Sequence, residues 1–383
     1  MENSNGLTKR IMIGNTSLIA AIVLLTVALW NEYSWYEAVA PYTTLVSLVF
    51  LAVTLVCYVP VKEAVRDRAF WLMAAGSAVA LINIFVVGSG KGAWLTATDV
   101  LIVAYLADRI RLSKKAMWFV IIYTGFYFFY WTFDVKGYFK GYNTNYGGLV
   151  LITGFVFAIT GIIAFYEILK KTEKGGARFL FAFLLFMFVW GYNIIAWYRS
   201  RCTLLGFVVF ILFLLVPQKA WNNKVFYTIS TLTMTAGSIV VSLAYVWIGK
   251  YAGSMNVQVF YKDLISGRNE IWSDLWQAFW QKPLTGIGSS YKINVDWMGG
   301  IFEVHNGLLD ILIVHGIIVF AITLYLLVSR LLKLREAAAG SRVAASAVSA
   351  VFAILATSFM ENFFIVPPFL LCTLVLIAIA RSV

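Results

Sequence analysis

Charge is what this sequence is short of. Only 13% of its 383 residues are Asp, Glu, Lys or Arg, about half of the ~25% found in soluble domains, which excludes an ordinary water-soluble globule. Cysteine is nearly absent. Cys57, Cys202 and Cys372 lie in or beside apolar runs, so no disulfide framework is implied. There are two histidines, and no His/Cys grouping with metal-ligand spacing. The polar loops hold no Asp-x-Asp pair and no glycine-rich ATP-binding loop, and the chain has neither an internal repeat nor a low-complexity tract. The first apolar run lacks a small-residue cleavage site, so it reads as a span and not a signal peptide.

Apolar sequence fills the space that charge leaves. The chain is 61% hydrophobic with a mean hydropathy of +0.84. Runs long enough to cross a hydrocarbon core of about 30 Å recur along it. They predict an all-α integral membrane protein, a single polytopic domain over 1–383. Its twelve transmembrane helices fall near 11–30, 42–59, 69–87, 93–107, 116–133, 148–168, 179–197, 202–216, 225–248, 306–328, 343–360 and 364–380. Orientation follows from the Lys/Arg bias of short loops. Of the 30 basic residues, ten fall on the outer side when both termini are cytoplasmic: Lys91, Lys136, Lys140, Arg199, Arg201, Lys250, Lys262, Arg268, Lys282 and Lys292. The net charge of +12 is then mostly topological and does not point to nucleic acid.

One outer segment, 249–305, is long, polar and rich in tryptophan. Loops of this length are usually functional or disordered, and this one is too aromatic for disorder. Ser266 is a plausible N-cap for a helix in which Ile271, Leu275 and Phe279 recur at four-residue spacing beside Trp272, Trp276 and Trp280. That pattern predicts an amphipathic helix with an aromatic face, suited to the membrane interface. It should end at Lys282-Pro283, and Leu284-Thr285-Gly286-Ile287-Gly288 should form a tight turn.

Only three outer basic residues are arginines. Arg268 opens the interfacial helix, where a cation opposes the helix dipole. Joined to the free N–H groups of that helix start, its guanidinium suits an anion such as phosphate. An arginine touching lipid headgroups is the plainer alternative. Arg199 and Arg201 stand at the mouth of the eighth span, against the basic bias, with Arg201 the deeper. His305, followed by Asn306, lies at the mouth of the tenth span, where a neutral imidazole can take a proton from a hydroxyl. His315 lies deeper and reads as core packing. Asp99 is an acid inside a span, a default site candidate, and Asn83 is a weaker one.

Four segments, SGRNEIW (266–272), PLTGIG (283–288), VHNGLLDILIVHG (304–316) and YRSRCTLLG (198–206), together resemble the bacterial O-antigen ligase/polymerase family. NTNYGG (143–148) is similar to that family's Asn-Pro-Asn segment, with Thr144 in place of proline, and so brings in Asn145. The Ser-Arg-Gly of many members is Ser200-Arg201-Cys202 here. The resemblance implies a GT-C-like membrane glycosyltransferase of the bacterial plasma membrane, active on its outer face in surface polysaccharide biosynthesis. Its donor would be an undecaprenyl-diphosphate-linked oligosaccharide, and its acceptor a glycan or glycolipid hydroxyl. No cofactor and no metal would be needed, and polysaccharide-assembly proteins are partners to expect. Carried over, it makes Arg201 and Arg268 the diphosphate binders and His305 the residue nearest the reacting hydroxyl. Arg199, Asn306, Asn145 and Asp99 join the substrate-binding set. The near balance of charge on the outer face favours a polymerase over a ligase, which would meet a heavily phosphorylated lipid A core. A transporter is the rival of another class, but it would place its polar residues near the bilayer midplane.

Overall fold

A computed structural model of the chain describes residues 2–28, 40–132, 154–155, 173–251, 258–259, 262–263, 267–296 and 302–383. The main helices are α1 (Glu2–Ala28), α2 (Thr43–Tyr58), α3 (Arg68–Val87), α4 (Lys91–Leu106), α5 (Lys114–Thr132) and α6 (Glu173–Asn193). They continue with α7 (Arg201–Leu214), α8 (Lys224–Tyr251), α9 (Arg268–Gln281), α10 (Gly307–Leu332), α11 (Arg342–Thr357) and α12 (Pro367–Ser382). The one strand pairing among the described residues is short and antiparallel, Gln258–Val259 with Lys262–Asp263.

Every expected span except the sixth coincides with a described helix, and 148–168 lies almost wholly outside the described residues. The count of twelve crossings is not established. Among the described residues, four helices are long and apolar enough to cross a membrane: Thr8–Thr26, Arg68–Val87, Lys224–Lys250 and Gly307–Gly340. Helices of 14 or 16 residues such as α7, α2 and α11 rise about 21–24 Å, short of a core of about 30 Å.

By compactness the chain divides into two units. The first comprises 1–110, 229–333 and 358–374, and the second 111–228, 334–357 and 375–383. In the first, α10 packs against α3 and α4, and α2 against α1 and α4. In the second, α7 packs along α11. An aromatic cluster there sets the Trp190 ring edge-on to Phe155 and Phe207. Arg342 donates to the carbonyls of Val216 and Leu214, where a cation suits the exposed carbonyls of a helix end.

One charged network closes an end of the first unit. Asp108 accepts from Arg330 at 2.8 Å and Lys333 at 2.6 Å, and it also pairs with Arg109. Arg109 reaches on to Asp67 and stacks over the Tyr105 ring. Asp67 caps α3 by accepting from the Ala69 N–H. Burial alone would raise its pKa, but the bonds from Ala69 and Tyr105 and the charges of Arg109 and Arg330 hold it below the usual value. Asp108 and Arg330 are both almost fully buried. Asp108→Ala is therefore expected to cost about 3–5 kcal/mol by leaving a buried guanidinium uncompensated, measurable as a loss of unfolding free energy in detergent.

Within the first unit, α10 is not continuous. Gly316 has φ 81° and ψ 174°, a conformation essentially restricted to glycine, and it breaks the helix. The break frees backbone groups that apolar surroundings would penalise, and the PLTGIG loop takes them up. The Ile287 N–H donates to the Ile313 carbonyl at 2.9 Å, Gly288 N–H to Val314 at 3.2 Å, and Ile317 N–H to Pro283 at 2.9 Å. Asn83 on α3 covers the remaining His315 carbonyl at 2.9 Å. Asn83, a candidate site residue by sequence, is thus a structural donor. His315 is buried as expected.

Candidate active site

The α9 helix carries the first side chain of the site. Its N-cap is Gly267 at φ 74°, with no side-chain bond. The cap expected at Ser266 lies outside the described residues, and a left-handed glycine does that work. The helix stops at Gln281, and Gly286 and Gly288 take positive φ in the turn beyond, as the sequence predicts. Its aromatic face does not meet a membrane interface. Ile271, Trp272, Leu275, Trp276 and Phe279 are buried against Leu309, Leu312 and Ile313 of α10. The Trp272 indole donates to the Val304 carbonyl at 2.7 Å, and Trp276 to Ser242 at 3.3 Å. Trp280 alone of the three tryptophans stays exposed. Each large apolar side chain so buried contributes roughly 1.5–3 kcal/mol, so α9 is pinned to the protein and its first residue is held in place.

That first residue, Arg268, is 8% exposed. One terminal nitrogen donates to Glu361 Oε1 at 2.8 Å and to the Met360 carbonyl at 3.0 Å. Its Nε–H is buried and meets no acceptor among the described residues. The other oxygen of Glu361 lies 3.3 Å from His305 Nδ1, and Glu303 Oε1 lies 3.3 Å from the same nitrogen. One carboxylate therefore joins the guanidinium to the imidazole. His305 has φ 54°, a left-handed conformation that costs a non-glycine residue about 1–2 kcal/mol. Trp272 pins residue 304 on one side of it. On the other, Asn306 caps α10 by accepting from the Leu309 N–H at 3.0 Å. The Asn306 amide also donates to Ser238 at 3.0 Å, so its side chain is committed to holding the turn.

Arg201 is the first residue of α7 in the second unit, behind Ser200, whose hydroxyl accepts from the Thr203 N–H at 3.3 Å. Arg199 is exposed, at φ 47° just before it. Cys202 sits in helical conformation with its thiol directed to the Thr357 carbonyl at 3.2 Å, so the position normally glycine needs no special backbone here. Asn145 lies outside the described residues. Asp99 is fully buried in α4, beside the Ser47 hydroxyl. No cation stands at ion-pair distance from it among the described residues. Glu361 was missed, although a lone acid in the short turn between two expected spans is a visible signal. Glu303, His305 and Glu361 bring one ligand atom each within 4.8 Å of one another, a grouping that could hold a divalent ion. The Arg268 charge on Glu361 opposes a cation there.

Residues 186–324 match the family model of the O-antigen ligase. No curated protein and no solved structure matches the chain. The matched stretch contains Arg199, Arg201, Arg268, His305 and both partners of the helix break, and it ends before Glu361. Residues 186–324 are thus similar to the O-antigen ligase family, a match that supports a membrane enzyme of the O-antigen ligase and polymerase type.

Proposed function

We propose that the chain is a glycosyltransferase moving a glycan from undecaprenyl diphosphate to an acceptor hydroxyl. It would act on the outer face of the bacterial plasma membrane, with both termini cytoplasmic. The observation that carries this reading is the single carboxylate, Glu361, shared by Arg268 and His305. A cation for a leaving diphosphate and a base for an attacking hydroxyl then belong to one constellation.

In the reaction, the acceptor oxygen attacks the anomeric carbon and the bond from that carbon to the diphosphate oxygen breaks, with inversion. When His305 Nδ1–H donates to Glu361, Nε2 keeps a lone pair and can take the hydroxyl proton. Negative charge collects on the departing diphosphate oxygens, where the Arg268 Nε–H offers a donor that no described residue uses. Asn306 sets the turn that holds His305 and is a positioning residue. Arg201 and Arg199 supply further positive charge for the diphosphate, and a polymerase is favoured over a ligase by the balanced outer charge. Asn145 and Asp99 stay in the proposed substrate-binding set, and no metal takes part.

The test uses purified protein in nanodiscs with a labelled lipid-linked glycan and an acceptor glycolipid. The wild type should transfer equally with and without a chelator, and His305→Ala should lose about 100-fold or more in turnover. Unchanged turnover in His305→Ala would end this reading.

A further inference from the structure

The polar face of α9, opposite its buried aromatic face, borders an open cavity of about 640 Å³ in the first unit. That volume is within the ~300–1,000 Å³ of small-molecule sites, but its chemistry is not that of an apolar pocket. Asn269, Glu270, Ser273, Asp274 and Gln277 line one wall from a single helix face. Asn294 and Asp296 face them, and Lys250 at the end of α8 is the one cation among the described residues of the lining. Asp274 fixes the wall, accepting from the Tyr291 hydroxyl at 3.1 Å and the Asn294 N–H at 3.0 Å. Burial, and then the Asp274 charge, push the Tyr291 hydroxyl above its usual pKa, so it remains a neutral donor.

We infer that this cavity binds an oligosaccharide of neutral or amino sugars, as a glycan subsite beside the transfer site proposed above. The inference rests on that reading for what the enzyme handles. Three carboxylates against one lysine repel a diphosphate or a uronic acid. Val246 and Val295 are the only sizeable apolar side chains among the described residues of the lining, too few to hold a polyprenol tail or the apolar anchors of a peptide. A sugar ring presents hydroxyls that donate and accept in alternation. Carboxamides answer both, and carboxylates accept from neighbouring hydroxyl pairs. The residue that opens this wall, Asn269, follows Arg268 in the chain.

The full chain in nanodiscs is titrated with maltotetraose, chitotetraose, chitosan tetramer and tetragalacturonate, with binding read by saturation-transfer NMR. At least one of the first three should bind at millimolar concentration, with tetragalacturonate about tenfold weaker or undetected. Ser273→Phe, which fills the cavity, should abolish binding, and Gln277→Ala should weaken it about tenfold. Gly92→Ala, outside the lining and in open space, should leave it unchanged. Transfer assays then separate the two sources of glycan: a raised KM for acceptor assigns the cavity to the acceptor chain, and a raised KM for donor assigns it to the donor chain. Absence of binding by every neutral and amino probe, preference for tetragalacturonate, or indifference to Ser273→Phe overturns the inference. Should Ser273→Phe leave probe binding intact while His305→Ala still abolishes transfer, the cavity fails and the catalytic reading stands. The opposite pattern spares the cavity alone.

Discussion

Arg268→Ala is expected to lower glycan transfer by about 100- to 1000-fold, the usual cost of losing one fixed donor to developing negative charge. The loss should appear in kcat more than in KM, because the guanidinium is matched to the leaving diphosphate and not to the resting donor. Alanine also leaves Glu361 without its ion partner at a site only 12% exposed, so part of the effect could come from a damaged fold. Arg268→Lys separates the two. Lysine keeps the charge opposite Glu361 but lacks the planar fork and the Nε–H. Its melting temperature should therefore stay near that of the wild type while turnover still falls strongly. A lysine variant with full turnover would show that charge alone suffices and that the unused Nε–H has no part in the reaction.

Gly316→Ala should be among the most damaging single substitutions in the chain, with a loss above about 4 kcal/mol. Two penalties combine. The backbone at φ 81°, ψ 174° is barred to a residue with a Cβ, and that Cβ would overlap the Leu284 carbonyl. Relief requires the loop to withdraw, which strands the carbonyls of Ile313 and Val314 and the N–H of Ile317 in apolar surroundings. Gly286→Ala attacks the same joint from the other side, since its Cβ would lie 2.5 Å from the Val314 oxygen. Both variants should fail to give folded protein in detergent. Gly92→Ala, where a Cβ meets nothing within 4 Å, should behave as wild type.

Much of this was legible in the sequence because it is local. Apolar run length located the helices, and the spacing of Ile271, Leu275 and Phe279 located α9 together with its stop at Lys282. The scarcity of arginine among the outer basic residues singled out Arg268, and a histidine at a helix mouth singled out His305. What remained hidden is non-local. Glu361 meets Arg268 across 93 residues and His305 across 56, and no periodicity carries that information. Hydrophobic spacing shows which face of α9 is apolar but not whether lipid or protein covers it, and here protein does. The break at Gly316 was invisible for a related reason. A glycine inside an apolar run looks like a close helix contact until the loop that fills the gap is seen.

That joint binds the histories of two distant stretches of chain. PLTGIG and the glycine that ends VHNGLLDILIVHG complete each other's hydrogen bonds, so neither is a free-standing module. A chimera that imports one from a relative without its mate would leave bare amide groups in a greasy wall. Recombination can shuffle such segments only as a matched set.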